Sequence, residues 1–388
     1  MRKTEKTGRP PKLSKPKQVI FAAIWICFSL ALVLAAGETF LRYRKHFIQK
    51  SDALDPGLVV YDRYLGWTPA PNWQGGHRHH DFDVRYTTNA YGFRGRFETP
   101  SDPKVRRYAI VGDSFTFGLG VNDEETFVHL LNSGAADGDF YLNFAVPGFS
   151  TDQEYLLIRR RVFDFTPAVI VLITYLGNDL FDNQLPFPLQ ADNAKPFFEL
   201  AGDKLVLKNS PVPLIKKSGA QAAVDLRQVV MGNAPQPGGR LIRALKNLEL
   251  FQLIEQNLPR GDGNLSALFE KRFNSALRLF GALLEHIRND CRRHDAGLVL
   301  VLMPGRSLVE RPASQSAQFQ EYLRARLVEN SRQLDIEVLD LASYLKTYHR
   351  EKDVRLFHPH EGHLTAAGHR VTADFIHTRL KPSSHDKP

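Results

Sequence analysis

At 388 residues, the chain is long enough for one large domain, or for one domain with a sizeable insertion. Its hydrophobic share of 43% and charged share of 24% are ordinary for a globular protein. The formal net charge of +9 would suit a nucleic-acid-binding protein, but seven basic residues and a single acidic residue lie in the tail before Gln18. Because the rest of the chain is close to balanced, we expect neither a basic face on the folded domain nor a nucleic-acid partner.

Residues 19–36 follow this basic tail and contain no charged side chain. A run of about 18 apolar residues is just long enough to cross a bilayer as a helix. The basic residues before it predict a cytoplasmic N-terminus and a periplasmic or extracellular remainder. A signal peptide cleaved near the small residues 35–37 is the alternative. The run is longer than a usual signal core, which favours an uncleaved single-pass anchor over residues 19–37, after a cytoplasmic tail of residues 1–18.

Residues 38–104 form a predicted stalk and pre-domain segment. Residues 38–50 are expected to continue the helix as a charged stalk. Residues 62–96 are rich in Gly, Pro, Asn and aromatic residues, which predicts loops with short strands. Three histidines of this segment are interpreted as parts of a solvated loop: His77, His79 and His80.

Beyond residue 105, apolar runs followed by turn residues alternate with stretches in which apolar residues recur every three or four positions. The runs predict buried strands at residues 108–111, 140–144, 169–175, 297–303 and 336–341. The periodic stretches predict helices at residues 126–131, 152–162, 265–293 and 317–333. Such an alternation predicts an α/β fold with a central parallel sheet covered on both faces, which binds ligands beyond the carboxyl ends of its strands.

The alternation breaks at residues 185–260, where Pro, Gly and Asn are frequent. We interpret this stretch as an insertion that forms a lid or substrate platform, with a hairpin near residues 198–207. The polar residues 381–388 are predicted to be a disordered tail.

Residues of types that often take part in catalysis follow three successive predicted strands. Gly112-Asp113-Ser114 follows the first strand, Gly148 follows the second, and Gly177-Asn178-Asp179 follows the third. A fourth block near the C-terminus contains His363. Each block alone is a weak signal, since short Gly-containing turns are common. Their order and their placement after successive strands make the combination specific.

This ordered set resembles the four-block pattern of the SGNH (GDSL-like) hydrolase superfamily, which is named after its Ser, Gly, Asn and His. The resemblance covers about residues 105–380 and implies a three-layer, flavodoxin-like α/β fold. Residues 65–67 and 88–94 also resemble the region that precedes the domain in membrane-anchored bacterial members. The G-x-S-x-G elbow of α/β-hydrolases is absent, because position 116 is Thr, which favours the SGNH assignment.

The resemblance implies a role for each block in acyl transfer. Ser114 would be the nucleophile and His363 the base that takes its proton. The oxyanion hole would consist of the Ser114 backbone N–H, the Gly148 N–H and the Asn178 side chain. Asp113 is interpreted as a structural hydrogen-bonding residue. No cofactor and no metal is implied.

The acid that orients His363 is left open. The common family pattern has an Asp three residues before the catalytic His, and that position holds His360 here. Glu361, two residues before, is the nearest carboxylate, and Asp353 is a more distant candidate. His369 is a rival base, for which a contact on a helix face is the alternative role.

A metal site is the alternative interpretation of the C-terminal histidines. Histidine clusters often bind metal ions, but no matching Cys or carboxylate pattern accompanies this one, which disfavours a metal. The cluster comprises His358, His360, His363 and His369.

The function expected from these features is that of a membrane-anchored, exported serine esterase or O-acyl hydrolase. Its substrate would be an ester-bearing small molecule or an acetylated cell-envelope glycan. Two alternatives remain open: a polysaccharide O-acetyltransferase that uses the same residues, and a non-catalytic glycan-binding or assembly module that keeps the fold. The non-standard residue His360 motivates the last alternative.

Overall fold

The structure is a computed structural model, and it describes residues 15–95, 102, 104–135, 138–188, 191–217 and 265–380, with the side chains of residues 49–50 and 265–272 excepted. Most of the predicted basic tail, residues 218–260 of the predicted insertion and the predicted disordered tail lie outside the described residues. The predicted domain boundaries stay predictions.

Helix α1 (Lys15–Lys50) is continuous through the apolar run and the predicted stalk. Most of its large apolar side chains, such as Phe21, Trp25 and Val33, are more than half exposed. By length and composition the helix could cross a membrane, and a signal sequence near an N-terminus would have the same properties. The helix belongs to one compact unit of the chain, and the described residues from Ser51 to Leu380 belong to the second.

The second unit begins with five short strands that precede the main sheet. Strand β1 (Ala53–Leu54) pairs with β4 (Gln74–His79), which pairs with β5 (Phe82–Thr87), all antiparallel. Strand β2 (Val59–Asp62) pairs with β3 (Gly66–Pro69). Short strands in this segment are therefore confirmed.

The interpretation of His77, His79 and His80 as a solvated loop is wrong for the first two, which lie on β4. The His77 ring is buried, with Nδ1 2.7 Å from the hydroxyl of Tyr86 and Nε2 2.7 Å from the carboxylate of Asp52. Both ring nitrogens thus have partners, which allows a polar ring to be buried. His80 lies in the exposed turn before β5.

The strands after this segment are β6 (Arg106–Val111), β7 (Asp139–Asn143), β8 (Val169–Tyr175), β9 (Phe197–Ala201), β10 (Lys204–Lys208), β11 (Gly297–Met303) and β12 (Glu337–Leu339). The central sheet contains five parallel strands, as predicted, in the order β12-β11-β8-β6-β7. Between β8 and β11 in the chain, β9 and β10 form the predicted hairpin. The last strand is shorter than predicted, because Asp340 caps the following helix by accepting a hydrogen bond from the Ser343 N–H.

Helices cover both faces of this sheet, which confirms the three-layer α/β fold. They are α2 (Ser114–Phe117), α3 (Phe127–Ser133), α4 (Thr151–Arg160), α5 (Asp179–Asp182), α6 (Leu265–Arg293), α7 (Arg306–Glu310), α8 (Gln315–Gln333), α9 (Leu341–Lys352) and α10 (Ala366–Leu380). Two 3-10 helices, Asp123–Glu125 and Val162–Phe165, join them.

The apolar run of β8 shows why helices pack on both faces of the sheet. Ile170 and Leu172 lie in a core with residues of α4, α6 and α8. Val171 and Ile173 lie in a second core with residues of α3, α9 and α10. Side chains alternate across a strand, so a fully apolar run fits only a sheet buried on both faces. Each such burial stabilises the fold by roughly 1.5–3 kcal/mol.

Candidate active site

The predicted site residues follow neighbouring strands of the central sheet. Ser114 begins α2 just after β6, Gly148 lies in the loop after β7, and Asn178 lies between β8 and α5. Strand β6 pairs with both β7 and β8, so these three turns share the carboxyl edge of the sheet. Ser114 and Asn178 are both buried. This is the edge at which parallel sheets bind ligands.

Ser114, His363 and Glu361 form a continuous hydrogen-bonded chain. The Ser114 Oγ lies 2.6 Å from Nε2 of His363, although the two residues are 249 positions apart. The other ring nitrogen, Nδ1, lies 2.6 Å from Oε1 of Glu361. Asp353, the other candidate acid, is exposed and ends α9 in the left-handed conformation, with φ of 50°. The structure therefore brings Glu361 to the imidazole and leaves Asp353 in solvent.

The loop before α10 makes the short Glu361–His363 spacing possible. The His358 N–H donates to the His363 carbonyl at 2.8 Å, and the Gly362 N–H donates to the His358 carbonyl at 3.1 Å. Gly362 adopts a φ of +95°, which favours glycine. This tight turn lets Oε2 of Glu361 accept from the His363 backbone N–H at 2.9 Å while Oε1 contacts the ring.

The environment of His363 favours its protonated form. Burial lowers the pKa of His363, but the Glu361 carboxylate and the nearby Asp113 raise it by more, so the pKa lies above its ordinary value. Burial raises the pKa of Glu361, but interaction with His363 lowers it below its ordinary value. The ring of Phe115 packs against both the His363 and Tyr175 rings, with centroid distances of 4.3 Å. The imidazole is thereby held in place from its face and from Nδ1.

Asp113 is a hydrogen-bonding residue beside Ser114, as predicted. Its carboxylate accepts from the Phe115 N–H at 2.9 Å and caps α2. Burial raises the pKa of Asp113 to about 6. Its carboxylate therefore fixes the start of the helix on which Ser114 lies.

The two other predicted oxyanion residues have specialised surroundings. Gly148 adopts a φ of +80°, and a Cβ at this position would lie 3.3 Å from the Trp67 ring. The Trp67 indole donates to the Pro147 carbonyl at 2.9 Å, which holds the ring against this loop. The Asn178 amide donates to Asp182 at 2.5 Å, which orients it. Their predicted roles in binding an oxyanion stay predictions.

Asp81 is a site residue that the sequence did not reveal. Its Oδ2 accepts from the backbone N–H groups of His360 and Glu361, at 2.8 and 2.9 Å, and its Oδ1 lies 2.7 Å from Nδ1 of His360. The Asp81 side chain is only 3% exposed. It ties the turn between β4 and β5 to the loop that carries Glu361 and His363. No local sequence pattern predicts the contact between Asp81 and His360, which are 279 positions apart.

Arg94 gives residues 88–94 a structural role. Its guanidinium is buried, pairs with Asp123 and donates to the carbonyls of Phe117, Gly118 and Val121 at 3.2, 3.1 and 2.8 Å. These carbonyls belong to the chain that leaves α2. The pre-domain segment therefore holds the element that positions Ser114.

The remaining C-terminal histidines have other partners. His369 on α10 is buried, its Nδ1 accepts from the Phe127 N–H at 3.2 Å, and burial lowers its pKa to about 3. Its alternative role as a contact on a helix face is confirmed. Nε2 of His358 lies 3.1 Å from the Gly120 carbonyl. Among the described residues, the metal-ligating groups that converge are His80, Asp81 and His360.

A known protein family and several solved structures are similar to this chain. Residues 110–371 match the GDSL-like lipase/acylhydrolase family. No curated protein matches the sequence significantly. Similar solved structures include an alpha/beta hydrolase enzyme from the metagenome of Lake Arreo, Spain, with 11% identity and a TM-score of 0.41 over 71% of this chain and 97% of that one. An acetyl xylan esterase has 12% identity and a TM-score of 0.39 over 71% and 100%. A lipase/acylhydrolase from Enterococcus faecalis has 13% identity and a TM-score of 0.37 over 72% and 100%.

Proposed function

Since the chain belongs to the GDSL-like lipase/acylhydrolase family, we propose that it is a serine esterase with Ser114 as nucleophile, His363 as base and Glu361 as the acid behind it. The observation that carries this proposal is the chain of two 2.6 Å contacts from the Ser114 hydroxyl through the imidazole to the Glu361 carboxylate. A serine hydroxyl becomes a competent nucleophile when a positioned base takes its proton, and this arrangement supports that step.

In the acylation step, the Ser114 Oγ attacks the ester carbonyl while Nε2 of His363 takes the hydroxyl proton. Glu361 stabilises the imidazolium at Nδ1. The carbonyl oxygen becomes an oxyanion, which the N–H groups of Ser114 and Gly148 and the Asn178 amide stabilise. Collapse of the tetrahedral intermediate breaks the ester C–O bond, and the imidazolium donates its proton to the leaving alcohol.

In the second step, water attacks the acyl-enzyme while His363 takes a proton from the water. The intermediate collapses, Ser114 recovers its proton from the imidazolium, and the carboxylic acid leaves. If a sugar hydroxyl replaced water, the same residues would transfer the acyl group to a glycan. The acceptor therefore distinguishes an esterase from an O-acetyltransferase, while the residues that catalyse both reactions are the same.

We propose that the enzyme is anchored by α1 with its catalytic unit on the extracytoplasmic side, where it acts on O-acetyl esters of cell-envelope glycans. The basic residues before α1 support this orientation by the positive-inside rule. Acetyl esters are within the reach of this chemistry, because acyl transfer to a serine hydroxyl needs only an accessible ester carbonyl and a positioned base.

The decisive experiment is fluorophosphonate labelling of the full-length chain in detergent micelles. Labelling at Ser114 is expected, and it should be lost in Ser114→Ala and strongly reduced in His363→Ala. The same samples should hydrolyse p-nitrophenyl acetate in proportion to their labelling. Ser343→Ala is a matched control, because Ser343 lies on α9 and is only partly buried. Labelling that persists in Ser114→Ala would refute the assignment of the nucleophile.

Product analysis with an acetylated glycan and a second glycan as acceptor then separates hydrolysis from transfer.

A further inference from the structure

Three side chains of metal-ligating type converge beside the loop that carries Glu361 and His363. His80 and Asp81 lie in the turn between β4 and β5, and His360 lies in the loop before α10. One ligand atom from each residue lies within 4.8 Å of the other two. Two imidazoles with one carboxylate form a donor set that borderline divalent transition metals prefer.

The geometry of these groups suits an ion that enters from solvent. The rings of His80 and His360 meet edge to face with centroids 4.8 Å apart, and both residues are exposed. The Asp81 carboxylate is already fixed, because its Oδ2 accepts two backbone N–H groups of the loop. A fixed ligand loses little conformational freedom when it binds an ion.

The second oxygen of Asp81 has a different partner. Oδ1 lies 2.7 Å from Nδ1 of His360, close enough to accept a hydrogen bond from the imidazole N–H. A metal ion can replace this proton, since deprotonated imidazole nitrogens and carboxylates are its ligands. Oδ2 can meanwhile keep its two backbone hydrogen bonds, so the loop need not unfold around the ion.

We propose that His80, Asp81 and His360 form a Zn²⁺ site, with water completing a four-coordinate shell. Zinc accepts imidazole nitrogen at about 2.0–2.1 Å and carboxylate oxygen at similar distances, in the tetrahedral arrangement that three side chains and one water provide. Mg²⁺ and Ca²⁺ take six or more ligands, nearly all of them oxygen, and do not fit this set. The bound ion links the turn after β4 to the loop that carries Glu361 and His363.

The test is isothermal titration of the EDTA-stripped full-length chain, in detergent micelles, with ZnCl₂ and with MgCl₂. We expect one Zn²⁺ per chain, no binding of Mg²⁺, and a thermal unfolding midpoint that rises with Zn²⁺ concentration, because the ion binds the folded state. His80→Ala and His360→Ala should each weaken Zn²⁺ binding by at least about tenfold, since even indirect partners of metal ligands contribute that much.

His129→Ala is the matched control, because His129 is an exposed histidine on α3. It should keep wild-type Zn²⁺ affinity, and so should Ser114→Ala, which separates this site from the reaction centre and from the proposed esterase activity. The unfolding midpoint in EDTA reports whether each variant is folded; if His360→Ala is not, His80→Ala decides. Equal Zn²⁺ affinity in the wild type and in folded His80→Ala would overturn the proposal.

Discussion

At the residue scale, the pKa of His363 decides at which pH the proposed esterase works. Interaction with Glu361 and Asp113 outweighs burial and places this pKa above its ordinary value of 6.5. A general base accepts a proton only when it is neutral. We therefore expect kcat/KM for p-nitrophenyl acetate to rise with pH through an apparent pKa above 6.5. A pH–rate profile of the wild type measures it, and a rising limb centred below 6.5 would contradict the assignment of His363.

The Glu361→Gln substitution tests the acid directly. It removes the charge that stabilises the imidazolium while keeping the size of the side chain. We expect kcat/KM to fall by about 10²–10⁴-fold, as when the orienting acid of a serine triad is neutralised. The apparent pKa of the rising limb should also fall, since the largest contribution that raises the pKa of His363 is lost.

Asp353→Asn is the matched control for Glu361→Gln. Asn tolerates the left-handed conformation that ends α9, so this variant should fold normally. It should also keep the wild-type rate, because Asp353 is exposed and Glu361 is the carboxylate that contacts Nδ1 of His363. Asp353 suits the control because it is the rival candidate for the acid. A loss of activity in Asp353→Asn with none in Glu361→Gln would reverse the two assignments.

The sequence predicted the candidate nucleophile and base better than the residues that hold them in place. The meeting of Ser114 and His363 was predictable because each lies in a block with a fixed place in the order of strands and helices. Their roles as nucleophile and base stay predictions. Glu361 was one of two candidates, and only the turn at Gly362 explains how it reaches Nδ1. Asp81 was not predictable, since its partners lie 279 and 280 positions away. A local pattern reports periodicity and turns, but it does not report which surfaces of two distant segments meet.

At the element scale, Asp81 holds the loop that carries Glu361 and His363, and we expect it to act as a positioning residue for the proposed reaction. We expect Asp81→Asn to lower kcat/KM by about 10–100-fold, because a small misplacement of catalytic groups has a large effect on rate. The effect should fall on kcat more than on KM, with a slower rate of fluorophosphonate labelling and a nearly unchanged thermal unfolding midpoint. A merely structural role would instead lower the midpoint.

Asp83→Asn is the control for Asp81→Asn, because Asp83 lies two residues later, on β5, and is exposed. It should leave both kcat and the labelling rate at wild-type values. Equal losses of activity in the two variants would mean that charge in this region matters rather than the contacts of Asp81 with the loop.

Arg94 gives a prediction about stability. Arg94→Met keeps much of the apolar stem but leaves Asp123 and three carbonyls without the guanidinium. We expect the free energy of unfolding to fall by about 3 kcal/mol, the lower end of the range for removing one partner of a buried ion pair, because Asp123 is partly exposed. Urea denaturation measures this change. Arg85→Met on β5 is the control, since Arg85 is exposed.

The elements themselves were largely predictable, for reasons that differ along the chain. Strands β8 and β11 have the predicted bounds, because seven-residue apolar runs have few alternatives to a strand buried on both faces. Strand β12 is shorter than predicted, because an apolar run does not show where a helix cap begins. Histidines on β4 were misplaced because polar residues suggest a loop unless their buried partners are known. A local helix cap decided the first case, and contacts with distant residues decided the second.

At the scale of the whole molecule, the mature protein either keeps α1 as a membrane anchor or loses it as a cleaved signal sequence. A single helix of 36 residues can serve as a lasting anchor or as a signal sequence that is removed. The apolar run is longer than a usual signal core, so we expect the chain isolated from bacterial membranes to keep its N-terminus. Intact-mass spectrometry of the 388-residue sequence, expressed in bacteria and isolated from their membranes, should give 44.0 kDa if α1 is retained. A mass that corresponds to a chain starting near residue 38 would show that the helix is cleaved.

The orientation of the chain follows from the same helix and can be measured separately. The basic residues before α1 favour a cytoplasmic N-terminus, and in the proposed orientation the residues after α1 would lie on the other side of the membrane. We expect protease added to intact spheroplasts to digest a C-terminal epitope tag and to leave an N-terminal tag protected. Replacing the basic residues of the tail with Gln should weaken this bias, because the positive-inside rule depends on Lys and Arg close to the span. A C-terminal tag that is protected in the wild type until the membrane is permeabilised would place the catalytic unit in the cytoplasm, and with it would fall the proposal that the esterase acts on cell-envelope glycans.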